Sequence, residues 1–260
     1  MTRSACKGIR AFADPSRCGR MASLKKAVLT TGAVLLLACL AVGLVWRSAP
    51  PEPVWQGRTL SAWTDDLATG SSIQICGAAE EAVQAIGTNA IPHLLRMLRE
   101  NDSILKRTLL WLNRHERFVK FPVIPGHAQH VRAWLAFQAL GERAESALPE
   151  LRRMLLRDPK KEFLPESIAV ISPKSVPILL EALPHVPANL RFPFINLALR
   201  WPSQEKLVRP IALRCLADPD PAMRIYAAAT ADRFTSNRSE VISALISALN
   251  DAAPNVRGEV

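Results

Sequence analysis

Between residues 218 and 251 the chain, DPDPAMRIYAAATADRFTSNRSEVISALISALND, repeats apolar positions at helical spacing. It does so in two stretches of about a dozen residues each, with a short polar break between them. Met223, Tyr226, Ala227 and Phe234 share a face of a first helix that opens at Pro219 or Pro221, where proline gives up only an amide with no intrahelical partner. Thr235 to Arg238 interrupts the pattern. Asn237 followed three residues later by Glu240 then supplies a polar cap and a returning acceptor for a second helix. In that helix Val241, Ile242, Leu245, Ile246 and Leu249 form one stripe. Two such helices cannot enclose a core alone, so each stripe requires cover from a neighbouring hairpin.

The pattern recurs upstream. Pro92, Pro149, Pro177 and Pro210 each open a comparable second-helix segment, at separations of 57, 28 and 33 residues. The long first interval implies an insertion at 101–126, read as one extra helix followed by an extended loop bounded by prolines. The hairpins are then Ile75 to Glu100 with Gly87-Thr88-Asn89 as the turn, Ala128 to Arg157, a third at 158–186 with a short first helix, a fourth at 188–217, and the one described first. The second hairpin directs Val131, Trp134, Leu135, Leu140, Leu148, Leu151 and Leu155 inward, and the fourth Phe194, Leu197, Trp201, Ile211 and Leu216. Leu60, Trp63 and Leu67 mark a cap helix ahead of them. After Asp251, APNVRGEV reads as the start of another first helix.

The Asp-Pro turns at Asp158-Pro159 and Asp218-Pro219, the arginines Arg224 and Arg257 a few residues further on, and the wording AIGTNAIPHLLRML at 85–98 together resemble HEAT repeats over roughly residues 73–260. That resemblance implies an all-α fold, a right-handed α-solenoid of about five hairpins. Solenoids of this kind present long concave surfaces for binding. Other HEAT-like proteins are bilin lyases or bind DNA, so the resemblance leaves open a lyase-type enzyme and a basic module for nucleic acid or anionic lipid.

Ahead of the repeats, Ala27 to Trp46 is twenty residues without a charge. At about 1.5 Å per residue this spans a hydrocarbon layer of roughly 30 Å as one helix. Residues 1–26 form a basic tail whose true start is Met1 or Met21, and the positive-inside rule places it in the cytoplasm. Residues 47–58 make a proline-rich spacer and 59–260 an extracytoplasmic repeat domain, with Trp46, Arg47 and Trp55 at the membrane interface. A cleaved signal peptide, or lipidation at Cys39, is the rival reading of the same segment.

Charge sharpens this picture. The net charge is +10, of which residues 1–46 hold 7 − 1 = +6. The remaining +4 equals the excess in one cluster: Arg96, Arg99, Lys106, Arg107, Arg114, Arg117 and Lys120 against Glu100, Asp102 and Glu116. Such a cluster either meets an acidic partner or lipid headgroups or is a solvated face with ordinary ion pairs. Cys76 and Cys215 read as buried unpaired thiols. His127 and His130 lack a third ligand, and position 119, where a zincin motif starting at His115 needs histidine, is valine. No residue is singled out as catalytic, no cofactor or metal is expected, and neither nucleic acid nor a small-molecule substrate is expected as partner. The expectation is a membrane-anchored, non-catalytic scaffold binding an unidentified protein outside the cytoplasm.

Overall fold

The computed structural model describes residues 51–115, 121 and 123–260, and Glu52–Val260 fall in one compact unit. The basic tail, the apolar segment 27–46, Trp46, Arg47, Cys39, Arg117 and Lys120 lie outside the described residues. Among the described residues no helix is long and apolar enough to cross a membrane.

The chain enters through a small hairpin, β1 (Val54–Trp55) antiparallel to β2 (Arg58–Thr59), and is helical thereafter. Gln56 and Gly57 both take positive φ, 48° and 75°, which matches the right-handed twist of the strands they join. Residues 54–58, assigned to an extended spacer on sequence, are therefore folded. Thr59 then caps α1 (Leu60–Thr69) by accepting from the Ala62 amide, and the Trp63 indole donates back to the Trp55 carbonyl at 3.2 Å.

The helices that follow are α2 (Ile73–Ile86), α3 (Ile91–Arg99), α4 (Ile104–His115), α5 (Gly126–Leu140), α6 (Leu148–Arg157), α7 (Leu164–Ala169), α8 (Ser175–Ala182), α9 (Ala188–Ala198), α10 (Glu205–Arg214), α11 (Pro221–Thr230), α12 (Arg238–Ala248) and α13 (Pro254–Glu259). The fold is all-α. Helix α2 packs on α1 and α5, α5 on α7, α7 on α9, α9 on α11 and α11 on α13, so from α5 onward every second helix stacks on its predecessor in chain order. Small residues permit the close approach: Ala79, Ala82, Ala133, Ala136, Ala169, Ala198 and Ala227 are buried along this row, with Phe137, Ile168 and Ile195 filling the space between. Leu94, Leu98, Leu151, Leu155, Val176, Leu179 and Val208 continue the core along the partner helices.

The last part of the chain is periodic in three dimensions. Helices α9, α11 and α13 start 33 residues apart, as do α10 and α12. Arg191, Arg224 and Arg257, also 33 apart, each turn back to a carbonyl just before their own helix, at Val186 (3.4 Å), Asp218 (2.7 Å) and Asp251 (2.6 Å).

Four local expectations are corrected. Tyr226 is 48 % exposed, because it stacks at 4.3 Å on Phe192 outside the Met223–Ala227–Phe234 face. Ile242, Ile246 and Leu249 are exposed, since α13 covers α11 and no described element lies over that side of α12. Pro210 is the sixth residue of α10 and does not open it, because the helix starts at Glu205. Asn237 precedes α12 as expected but adopts the left-handed region (φ 53°, ψ 47°), so its amide donates to Glu240 at 2.7 Å and no capping box forms.

Candidate functional site

Helix α6 is amphipathic in two senses. Leu148, Leu151 and Leu155 enter the core, while Glu150, Arg153, Met154 and Arg157 recur at three- and four-residue spacing along its outer side. That outer row, the end of α3 at Arg99 and the loop carrying Lys161 enclose an open groove of about 710 Å³. Its cations Arg99, Arg153, Arg157 and Lys161 exceed its acids Glu150 and Asp158 by 4 − 2 = 2 charges.

The groove already grips a carboxylate of its own. Glu150 takes one guanidinium on each oxygen, Arg99 and Arg153, both at 2.5 Å. Lys161 donates to the Asn101 side chain at 2.7 Å and to the Glu100 carbonyl at 3.3 Å. Burial pulls its ammonium below the ordinary lysine value, against the attraction of Asp158, Glu100 and Glu162. Arg157, in the last turn of α6 where the helix dipole favours a cation, has no partner among the described residues. The arrangement suits an anionic group, since guanidinium forks bind carboxylate and phosphate oxygens in pairs.

The sequence-predicted cluster divides between two places. Arg99 belongs to the groove, and Arg96 lies half-buried one turn earlier on α3. Lys106 faces inward and is spent on Glu100 and Asp102, both at 3.3 Å. Arg107 and Arg114 stand exposed on α4, where the Arg107 charge helps hold the Asp102 carboxyl below its ordinary value and Arg114 has no partner among the described residues. Trp55 is 39 % exposed at the hairpin.

Two other constellations invite a chemical reading. Ser61 Oγ lies 3.4 Å and Glu52 Oε1 3.7 Å from the same nitrogen, Nε2 of His93, while the buried Nδ1 has no partner. A base activating a hydroxyl is oriented through its other nitrogen, so this is not a nucleophile–base–acid relay. Burial also lowers the His93 basicity, with Arg96 adding to it and Glu52 opposing. His127 and His130 part company: His127 meets Glu162 at 2.9 Å on the surface, whereas His130 is buried and donates from Nε2 to the Glu100 carbonyl at 2.8 Å. Among the described residues no three His, Cys, Asp or Glu side chains come together to hold a metal. Cys76 and Cys215 are free and half-buried, and burial raises the Cys215 thiol.

Comparisons with family models, curated proteins and solved structures find no match. The site therefore has to be understood from its own residues.

The groove was missed on sequence because Arg99 is separated by 54 to 62 residues from Arg153 and Lys161, across the insertion. One signal was present: residues 152–161 hold Arg152, Arg153, Arg157, Lys160 and Lys161 against Asp158 alone. On sequence these basic residues were spread over two hairpins, and only the fold gathers three of them beside Arg99.

Proposed function

We propose that this chain is a membrane-anchored α-solenoid of HEAT-like hairpins, right-handed and about five in number. It holds an acidic, extended segment of a partner protein on the extracytoplasmic side, in the groove between α3, α6 and Lys161. The solenoid part is supported by the sequential stacking of α2, α5, α7, α9, α11 and α13 and by the 33-residue recurrence of Arg191, Arg224 and Arg257. The anchor rests on the apolar run 27–46 and the basic residues before it.

The observation that carries the binding reading is the groove's unspent charge. Glu150 shows the geometry in which a carboxylate satisfies this surface, and Arg157 and Lys161 lie beyond it with capacity for another. A side-chain acid on an extended peptide reaches such a row without a deep pocket, and a scaffold needs no more than that.

The test is fluorescence anisotropy of a labelled glutamate-rich peptide titrated with the full chain in detergent. Arg157→Glu with Lys161→Glu is expected to weaken binding at least tenfold and to flatten its salt dependence. Arg200→Glu with Lys206→Glu, both exposed and without a side-chain partner among the described residues, controls for the same change in net charge. Equal loss in both variants, or none in either, rejects the groove.

A further inference from the structure

Helix α4 departs in its exposure from every other long helix among the described residues. None of its twelve residues is buried, and its sequence ILKRTLLWLNRH contains no acid. Among the described residues it is tied to its surroundings by Lys106 to Glu100 and Asp102 and by Asn113, which exchanges hydrogen bonds with the Phe121 backbone at 2.7 and 2.8 Å. Ile104, Arg107, Trp111 and Arg114 recur at three- and four-residue spacing and so lie along the opposite side. Ile104 is 78 % and Trp111 57 % exposed, with Leu105 open at the flank, and both arginines are exposed, Arg107 within reach of the Asp102 charge and Arg114 with no partner among the described residues.

We propose that this outer face of α4 lies on an anionic membrane surface, parallel to it. The chemistry is complementary in kind. Indole and aliphatic side chains gain by entering the headgroup layer, while arginines extend from beside them to lipid phosphates. The helix itself carries no carboxylate that such a surface would repel. His115 does not oppose this, since its ring stacks on Trp111 at 4.4 Å and its Nδ1 bonds the Trp111 carbonyl at 2.9 Å. The inference rests on the anchored reading above. Five residues separate Trp46 from Glu52. Such a span reaches no more than about 20 Å, which keeps the folded unit beside the bilayer.

The experiment uses the full chain reconstituted into vesicles of phosphatidylcholine alone or with a third phosphatidylglycerol, each carrying a doxyl-labelled lipid. The Trp111 signal is taken as the difference between wild type and Trp111→Phe. In the anionic vesicles Trp111 is expected to be blue-shifted and quenched. Arg107→Glu with Arg114→Glu should abolish this. At roughly fivefold per arginine near an anionic surface, even neutralising the pair lowers occupancy on the order of twenty-fivefold. Circular dichroism checks that the variant keeps its helices. A chain that co-floats with vesicles while Trp111 stays unquenched overturns this proposal alone, and so does a photocrosslinker at Thr108 that captures protein and no lipid. A chain that does not co-float overturns the anchored reading with it.

Discussion

Glu205 has the most demanding single-residue environment outside the groove. Burial opposes its ionisation, but the Ser236 hydroxyl (2.6 Å) and amide (3.0 Å) and the Thr235 amide and hydroxyl all donate to its carboxylate and outweigh that cost. The acid is held down at about 2, from an ordinary 4.5. A depressed carboxyl stabilises the fold above its unfolded value, so this contribution is complete above about 4.5 and disappears as pH falls toward about 2. Urea midpoints measured from pH 6 to pH 3 are expected to fall in wild type and to fall less steeply in Glu205→Gln. Parallel curves would mean that the network does not survive in solution. Nothing near Glu205 in sequence announces this role, because its donors lie some thirty residues on, in the loop before α12. By contrast, the turn acids could be read directly. Asp220 accepts from the Ala222 amide, Asp251 from the Ala253 amide and from both arms of Arg224, all within the Asp-Pro and Asp-Ala-Ala-Pro wording that marks these helix starts.

Helices were easier to recognise than their ends. Each second-helix segment opened on sequence by a proline is a helix, and Pro92, Pro149 and Pro177 occupy first-turn positions, but Pro210 does not. Pro210 falls in the middle of α10 and leaves the Lys206 carbonyl without its helical donor. Proline is a start signal only when nothing better lies upstream, and here the turn at Pro202–Gln204 leads into the helix at Glu205 first. Pro210→Ala, at an exposed position, restores that bond and is expected to raise stability by about 1 kcal/mol in chemical denaturation, without changing the denaturant slope. A loss of stability would mean that the proline itself is required by the packing of α10 on α9. The same competition explains the entry hairpin. Gly57 alone hinted at a turn, but glutamine at the other central position is not a usual left-handed residue, so strands of two residues left no alternating pattern to find.

For the molecule as a whole, the decisive question is whether stability is shared or passed from neighbour to neighbour. In a stacked array each hairpin touches only the next, so damage at one end should not be felt at the other. The C-terminal end offers a clean cut. Deleting 251–260 removes fully buried Val256, the cover that α13 gives α11, and the paired hydrogen bonds of Arg224 with Asp251 at 2.7 and 3.0 Å. With Ile242, Ile246 and Leu249 of α12 already open to solvent, α11 and α12 then have little to hold them. Hydrogen exchange of the truncated chain is expected to show lost protection through α11 and α12, while α2, α3 and α5, whose core is Leu94, Leu98, Phe137 and Val83, keep theirs within a factor of about two to three. A uniform fall across all helices would instead mean one cooperative core spanning the unit, and the solenoid reading, together with the extended binding face that follows from it, would have to be abandoned.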